Sequence, residues 1–224
     1  MKEHEIDSFR QQASLESAGS SSDAILDNFI KEIAKKITDQ VNLIDIGCGQ
    51  GTLLQKVNHI CPNASLTGAD FTNFKNTPFN FIQHDCNQNF TDSFSNYDIV
   101  VASEVIEHLE NPRHFLRELS RITKSGGHIL LSTPNPESLT SLISFTLRGY
   151  HSAFGGKSYP AHITAVAPYD LKNMINEISD LELTEIKFIQ NGRMPGLSLH
   201  WRQIFPFLKG KRFSDNYMAV ISKK

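Results

Sequence analysis

The sequence predicts an α/β domain with a mainly parallel sheet and helices on both of its faces. Three observations lead to this fold class. Short apolar runs of strand length alternate along the chain with longer stretches of helical periodicity. The run at 97–103, YDIVVAS, is apolar throughout its middle, which is typical of a parallel strand covered on both faces. A glycine-rich stretch at 47–51, GCGQG, joins an apolar run to a helical one.

The same patterns place the individual elements. Apolar runs predict strands at 41–46, 64–71, 79–85, 97–103 and 127–134, with two closing strands at 181–189 and 216–222. Helical periodicity predicts helices at 23–37, from about 51 onwards, from 112 to about 122, and at 168–178. Asp23 is the expected N-cap of the first helix, and Asn111 followed by Pro112 is the expected start of the third. The stretch KSGG at 124–127 is expected to separate that helix from the next strand.

Composition and charge narrow the class of protein. The chain has 224 residues, a net charge of -2 and a pI near 6.5, which disfavours general nucleic-acid binding. Its cysteines are few, odd in number and without metal-type spacing, so we expect a reducing compartment and no disulfide framework. The N-terminus lacks the apolar stretch of a signal peptide, and no apolar run is long enough to span a membrane. We therefore expect a cytoplasmic protein.

Polar residues gather where the predicted strands end, which is where open α/β sheets bind ligands. The spacing G-x-G-x-G differs from the G-x-G-x-x-G of dinucleotide sites, and Asp45 precedes the glycines. A carboxylate there would repel a pyrophosphate but suits a ligand with a cationic amino group. Asp70 suits ribose hydroxyls, and Asp85 can accept a hydrogen bond from the amino group of adenine. These features together indicate S-adenosylmethionine.

Five blocks of the sequence carry a family resemblance: LIDIGCGQG, GADF, HDCNQ, YDIVVASEVIEHLENP and GGHILLSTPN. In this order they resemble the class I S-adenosylmethionine-dependent methyltransferases, and specifically the ubiquinone-biosynthesis O-methyltransferase-like proteins of the methyltransferase type 11 group. The resemblance covers residues 25–135 well and the two closing strands more loosely. It implies a seven-stranded, Rossmann-like methyltransferase sheet whose last strand is antiparallel.

The resemblance also implies residue roles. Gly47 and Gly49 would lie behind the methionine part of the cofactor, Asp70 would hold the ribose, and Asp85 with Cys86 would flank the adenine. Phe71 is expected to pack on the base. The full set assigned to the cofactor is Asp45, Gly47, Cys48, Gly49, Asp70, Phe71, Asp85, Cys86, Ser103 and Glu104.

A second cluster of polar residues follows the fourth strand, in SEVIEHLENP. If this segment is a helical turn, Glu104, Glu107 and His108 share one face and form either a proton-handling group or a set of metal ligands. The pattern E-x-x-E-H resembles two subgroups of the family, the ubiquinone-biosynthesis O-methyltransferases and the small-RNA 2′-O-methyltransferases. In the second subgroup the pattern and a later histidine hold a divalent metal, and His162 is the candidate here. The alternative is that the glutamates are structural and His108 packs over the cofactor.

The function expected from these features is methyl transfer to a hydroxyl oxygen of a small molecule, such as a quinone precursor, a lipid or a glycan intermediate. His108 and Glu107 are the candidate catalytic residues. A divalent metal (Mg, Mn or Zn) on Glu104, Glu107, His108 and His162 is the alternative means of activating the hydroxyl. The other functions considered are a metal-dependent RNA 2′-O-methyltransferase and a methyltransferase-like binding protein without turnover.

The domain organisation expected is a polar N-terminal arm at 1–22 and a single methyltransferase domain at 23–224. Insertions near 136–168 and 190–214 are expected on the acceptor side. Within the first, the apolar stretch 138–150 is interpreted as a helix packed on the domain, with a lid or a peripheral membrane or lipid contact as alternatives. Within the second, aromatic residues accompany four basic ones that could hold an anionic acceptor: Arg202, Lys209, Lys211 and Arg212.

Overall fold

The computed structural model describes residues 21–37, 40–73, 78–94, 96–156, 158–195, 197 and 199–224. Residues 1–20 of the expected N-terminal arm lie outside this set. The described strands are β1 Asn42–Ile46, β2 Ser65–Asp70, β3 Asn80–Gln83, β4 Tyr97–Ser103, β5 Thr123–Pro134, β6 Leu181–Ile189 and β7 Asn216–Lys223. The described helices are α1 Asp23–Ala34, α2 Thr52–Ile60, α3 Pro112–Ile122, α4 Leu139–Arg148, α5 Pro168–Asn176 and α6 Trp201–Ile204, with 3-10 turns at Ile106–His108 and Lys211–Phe213.

The seven strands form one sheet in the order β3-β2-β1-β4-β5-β7-β6. Strands β1 to β5 pair in parallel, whereas β7 is antiparallel to both of its neighbours. The predicted fold class is therefore confirmed, including the antiparallel last strand. Because the order reverses between β1 and β4, the ends of these two strands form the crevice in which such sheets bind ligands.

Two apolar cores cover the two faces of the sheet, and alternate residues of β4 contribute to each. Ile99 and Val101 pack on one face with the apolar sides of α1 and α2. Val100 and Ala102 pack on the other with those of α3 and α5. This alternation explains why the strand is apolar throughout, since a strand covered on both sides has no face left for water.

Two boundaries differ from the sequence prediction, and a third agrees with it. Helix α1 already includes Asp23, so Ser22 occupies the N-cap position, where its side chain makes no capping hydrogen bond. The stretch KSGG does not separate α3 from β5 but lies inside β5, because pairing with β4 begins at Thr123 and shifts register before His128. Asn111 is confirmed as a cap, since its side chain accepts a hydrogen bond from the backbone N–H of His114 at 3.0 Å.

Helix α4 packs on the domain through the buried Ser141 and Ser144 and the half-buried Leu139 and Leu142. Phe145 and Leu147 are 51% and 77% exposed. The helix thus contacts the domain along one side and leaves part of its apolar surface uncovered. No helix in the described part of the chain is long and apolar enough to cross a membrane.

Candidate functional site

The glycine-rich turn connects β1 to α2, as the sequence predicted. Gly47, Gly49 and Gly51 all have positive φ, of 73°, 51° and 76°. Side chains rarely adopt this conformation, so glycine is required for the turn itself. At Gly47 a Cβ would also lie 2.4 Å from Cγ2 of Val105, which holds the turn close to the segment that follows β4. The turn therefore presents bare backbone at the sheet's switch point.

Asp70, at the end of β2, fixes the position of this turn. One carboxylate oxygen accepts a hydrogen bond from the N–H of Gly49 and the other from the N–H of Thr72, both at 2.9 Å. Burial raises the pKa of Asp70, and these backbone hydrogen bonds oppose the rise. A carboxylate has about four acceptor positions, and the backbone of Phe71 also contributes a hydrogen bond, so at least one position is left for a ligand.

Asp45 lies beneath the turn and is almost completely buried. Its Oδ1 atom has no hydrogen-bond partner among the described residues. Burial, and then the neighbouring charge of Asp70, raise the pKa of Asp45 to about 8. Asp45 borders a small cavity together with Gly47, Cys48 and Ser103. An unpaired buried oxygen at this place suits a ligand that brings a hydrogen-bond donor or a positive charge.

A large cavity, of about 750 Å³, opens over the ends of the parallel strands. Pockets of this size hold ligands as large as a nucleoside cofactor with a small partner. Seven of the residues assigned to the cofactor line it: Gly47, Asp70, Phe71, Asp85, Cys86, Ser103 and Glu104. The Phe71 ring is 39% exposed, so an aromatic face is available at the β2 end. Asp45 and Cys48 border the smaller cavity instead. Gly49 lines neither cavity, but its N–H donates a hydrogen bond to Asp70, which lines the large one.

Asp85 and Cys86 follow β3 and have different surroundings. Asp85 Oδ1 accepts the backbone N–H of Asn87 at 2.9 Å and its side-chain amide at 3.1 Å, which fixes the turn. Burial, and then the charges of Asp70 and Asp85, raise the pKa of the Cys86 thiol. Cys86 thus stays protonated and contributes a small apolar surface rather than a nucleophile.

The three residues of the E-x-x-E-H pattern do not share one helical face. Glu104 precedes the 3-10 turn and has a positive φ of 57°. Its carboxylate accepts hydrogen bonds from Ser132 Oγ at 3.1 Å and from Asn216 Nδ2 at 2.7 Å. Burial, followed by the charge of Glu107, raises the pKa of Glu104. Glu104 therefore connects β4 to β5 and β7 instead of joining the histidine.

Glu107, His108 and His162 do come together, with one candidate ligand atom of each within 4.8 Å of the others. The carboxylate of Glu107 is fully buried; Oε2 accepts the Thr133 hydroxyl at 3.0 Å, and Oε1 has no partner in the described part of the chain. Burial raises the pKa of Glu107. The rings of the two histidines meet edge to face, with 4.8 Å between their centroids.

Backbone carbonyls orient both histidine rings. His108 Nδ1 lies 2.9 Å from the carbonyl oxygen of Ala161, and His162 Nδ1 lies 2.8 Å from that of Ala153. Since a carbonyl oxygen only accepts, each Nδ1 must donate, and in the neutral ring the lone pair is on Nε2. Burial, and then the charge of His108, lower the pKa of His162 to about 4. His162 is thus neutral near pH 7, the form that can accept a proton or ligate a metal.

Two further parts of the cavity wall include residues that the sequence did not single out. Ser21, just before α1, lines the cavity, and its hydroxyl lies 2.8 Å from that of Ser103. On the β6–β7 side, Asn191, Arg193, His200, Arg202, Asp215 and Asn216 complete the lining. The basic segment 196–216 pointed to Arg202, but nothing local distinguishes Asn191 or Asn216, because their roles depend on contacts far apart in sequence.

Comparison with known proteins agrees with this architecture. Residues 19–185, well over half of the chain, match the family described as Methyltransferase domain. A mitochondrial ubiquinone biosynthesis O-methyltransferase of Dictyostelium discoideum is 27% identical over 66% of this chain and 51% of its own length, so the chain spans about half of that relative. A ubiquinone biosynthesis O-methyltransferase of Aliivibrio fischeri is 22% identical over 86% of this chain and 81% of its own length.

A solved structure shows the same fold. The crystal structure of a SAM-dependent methyltransferase from Archaeoglobus fulgidus superposes with a TM-score of 0.59, at 21% identity, over 88% of this chain and 92% of the other. The glycine turn, the acidic strand ends and the sheet order agree with these comparisons. With the family match over residues 19–185, the chain belongs to the class I S-adenosylmethionine-dependent methyltransferases.

Proposed function

We propose that this protein transfers a methyl group from S-adenosylmethionine to a hydroxyl oxygen of a small molecule. The observation that carries the proposal is that one cavity joins the ribose-type acid Asp70 to His108, a group able to take a proton. A charge on His108 lowers the pKa of Asp70, in keeping with their place in the same cavity. The ubiquinone biosynthesis O-methyltransferases among the relatives support an oxygen acceptor.

The residues present fit this cofactor. Asp70 retains at least one acceptor position for the ribose hydroxyls, and the exposed ring of Phe71 suits packing on adenine beside Asp85 and Cys86. Gly47 and Gly49 leave the backbone open to the methionine part, with Ser103 and Glu104 at the adjoining strand end. The unpaired Oδ1 of Asp45, next to Cys48, suits the amino group of that part.

Bound S-adenosylmethionine supplies an electrophilic methyl group on a sulfonium centre. The protein's part is to hold the acceptor oxygen in line with that methyl group and to remove its proton. Because His108 Nδ1 donates to the Ala161 carbonyl, its Nε2 is the atom that accepts the proton. Glu107 is buried next to the two histidine rings. When Glu107 is ionised, its negative charge favours the protonated form of His108.

A divalent metal is the second means of activating the acceptor, and the Glu107–His108–His162 cluster favours it. Two imidazole nitrogens and a carboxylate oxygen without a partner are a donor set for zinc or manganese. Glu104, the fourth expected ligand, lies outside the cluster because Ser132 and Asn216 hold its carboxylate. Titration of ZnCl2 or MnCl2 into wild type and His162→Asn tests the site, and loss of at least about 10-fold in affinity is expected in the variant. Equal affinity in both proteins would remove the metal from the proposal.

The exposed apolar face of α4 supports contact with a lipid surface or a lipid-like acceptor. Ile143 and Leu147, which are one helical turn apart, are exposed on this helix, and Arg148 ends it. Apolar side chains next to a cation are the composition of helices that lie on membrane surfaces. This arrangement supports a lipid or prenylated acceptor within the small-molecule class over RNA, because a net charge of -2 gives no general electrostatic attraction for a polyanion.

Two measurements test the proposed function. S-adenosylhomocysteine is titrated into the protein by calorimetry, and binding in the micromolar range is expected. Methyl transfer to catechol and 3,4-dihydroxybenzoate is then compared in wild type, His108→Ala and the control His59→Ala, an exposed histidine on α2. His108→Ala is expected to bind S-adenosylhomocysteine normally and to lose at least about 100-fold in turnover. Near-normal turnover would exclude His108 from proton transfer, and cofactor binding without transfer to any hydroxyl acceptor would favour the non-catalytic alternative.

A further inference from the structure

The wall of the cavity on the β6–β7 side contains none of the residues assigned to the cofactor. In the sheet order, the acids that suit the nucleoside lie at β2 and β3, the glycine turn at β1 and His108 just after β4. The segment between β6 and β7 contributes the lining on the opposite side of His108. An acceptor whose hydroxyl meets His108 must therefore extend toward this segment.

Arg202 is the cation that this segment presents to the cavity. Of the four basic residues noted in the sequence, Lys211 forms an ion pair with Glu137 at 3.1 Å, and Arg212 donates to the backbone carbonyl of Glu137 at 2.8 Å. Neither these two nor Lys209 line the cavity, whereas Arg202 does. Within the described residues, Arg202 has no hydrogen bond or ion pair.

The acidic groups nearby are partly engaged, and only Asp215 Oδ1 among their described carboxylate oxygens has no hydrogen-bond partner. Asp215 pairs with Arg193, whose Nε lies 3.0 Å from Oδ2 and whose backbone N–H donates to the same atom at 3.1 Å. Glu104 is held by Ser132 and Asn216. The neighbouring cation Arg193 is thus compensated, whereas Arg202 forms no ion pair with any described residue on this side of the cavity.

The backbone around Arg202 is held in place rather than loose. Trp201 N–H donates to the Gly192 carbonyl at 2.9 Å, and its ring packs edge-on against Phe213 with 5.4 Å between the centroids. His200 Nδ1 lies 2.8 Å from the Asn191 carbonyl. At Gly192 a Cβ would lie 2.2 Å from the Phe213 carbonyl oxygen, so the two ends of the segment are in close contact. These contacts fix the backbone that carries Arg202, which lowers the entropic cost of using this residue for binding.

We propose that Arg202 binds an anionic group, a carboxylate or a phosphate, on the methyl acceptor. A guanidinium presents a planar fork of donors that matches either group with two parallel hydrogen bonds. This inference rests on the proposed function, and it narrows the acceptor to a hydroxylated molecule that carries a negative charge on the side away from the reacting oxygen. Arg202 is then a specificity-determining residue of the acceptor site.

The test uses binding to the protein–S-adenosylhomocysteine complex, so that it does not depend on turnover. The anionic probes are 3,4-dihydroxybenzoate and phenyl phosphate, and their neutral counterparts are catechol and phenol. Binding of each probe is measured by NMR titration. Wild type is expected to bind an anionic probe at least about 10-fold more tightly than its neutral counterpart. Preference for 3,4-dihydroxybenzoate identifies a carboxylate site, and preference for phenyl phosphate identifies a phosphate site.

Variants separate a local contact from the general effect of charge. Arg202→Gln is expected to abolish the preference and to leave binding of catechol and S-adenosylhomocysteine unchanged. Arg202→Lys, which keeps the charge and loses the fork, is expected to retain part of the preference. The control Lys209→Gln removes one cation from the same exposed segment without touching the cavity, and it is expected to change nothing.

Two outcomes overturn the inference: no preference of wild type for either anion, or equal loss of the preference in Arg202→Gln and Lys209→Gln. Failure of wild type to bind S-adenosylhomocysteine would overturn the proposed function instead. Intact cofactor binding without anion preference therefore removes the role of Arg202 and leaves methyl transfer standing.

Discussion

Replacing Asp70 with asparagine tests the geometry of the cofactor site, because the change keeps the size of the side chain and removes its charge. The two oxygens of Asp70 serve two backbone donors, Gly49 N–H and Thr72 N–H, each at 2.9 Å. An amide has one oxygen, so Asp70→Asn can satisfy one donor and must turn its own NH2 toward the other. A buried donor without a partner costs about 1–3 kcal/mol.

Two terms then determine the expected result. The variant should lose about 1–2 kcal/mol in its free energy of unfolding, because one buried hydrogen bond is lost. Part of that loss is offset, since the variant also removes the repulsion between the charges of Asp70 and Asp45. A hydrogen bond from a ribose hydroxyl to a charged acceptor contributes about 1.5–3 kcal/mol, so S-adenosylhomocysteine should bind roughly 10–100-fold more weakly.

Calorimetric titration gives the dissociation constant, and urea unfolding gives the stability. Asp92→Asn is the matched control, since Asp92 is exposed and does not line the cavity. A dissociation constant within about threefold of wild type for Asp70→Asn would refute the assignment of Asp70 to the ribose.

Three further predictions concern stability and surface binding. Burial raises the pKa of Asp45 to about 8, so the folded protein keeps a proton that the unfolded chain releases near pH 4, and stability falls as pH rises between these values. Asp45→Asn should therefore be more stable than wild type at pH 8 by about 1–3 kcal/mol in urea unfolding, with a smaller difference at pH 5; a difference independent of pH would contradict this. Asn111→Ala should lower the free energy of unfolding of the protein by about 1 kcal/mol, because the cap of α3 is lost, whereas Ser22→Ala, whose side chain makes no capping bond, should change it by less than about 0.5 kcal/mol; equal losses would count against the capping argument. Leu147→Glu should reduce co-sedimentation with vesicles of phosphatidylcholine and phosphatidylglycerol at least about threefold, while Ile60→Glu, at an exposed apolar position on α2, should not; equal binding of both variants would exclude α4 as the contact.

The fold could be predicted from the sequence because each strand and helix has its own local pattern. β4 is apolar on both faces because both faces are covered. The turn between β1 and α2 is rich in glycine because all three of its glycines have positive φ. The boundary errors occur where a long-range contact decides. β5 extends back to Thr123 because it pairs with Tyr97, and the two glycines in that stretch do not prevent the pairing.

The candidate site was predictable to the extent that its residues lie at strand ends. Asp70, Asp85 and the glycine turn occupy such ends, and topology alone brings them together. The grouping of Glu104 with Glu107 and His108 was wrong because it assumed a regular helical turn, whereas Glu104 has a positive φ and turns toward Asn216. That partner is more than a hundred residues away, and no local periodicity encodes it.

The connection between β6 and β7 has a consequence for re-engineering this protein. These strands are antiparallel neighbours, and Ile189 pairs with Asn216 where the connection leaves and rejoins the sheet. The stretch between them is thus a large hairpin loop whose two ends are clamped by the sheet, and its length can change at little entropic cost to the rest of the fold. Exchanging this stretch while keeping Asn191 and Asn216, whose side chains lie 2.6 Å apart, would give chimaeras that share one cofactor half and differ in the molecules they accept.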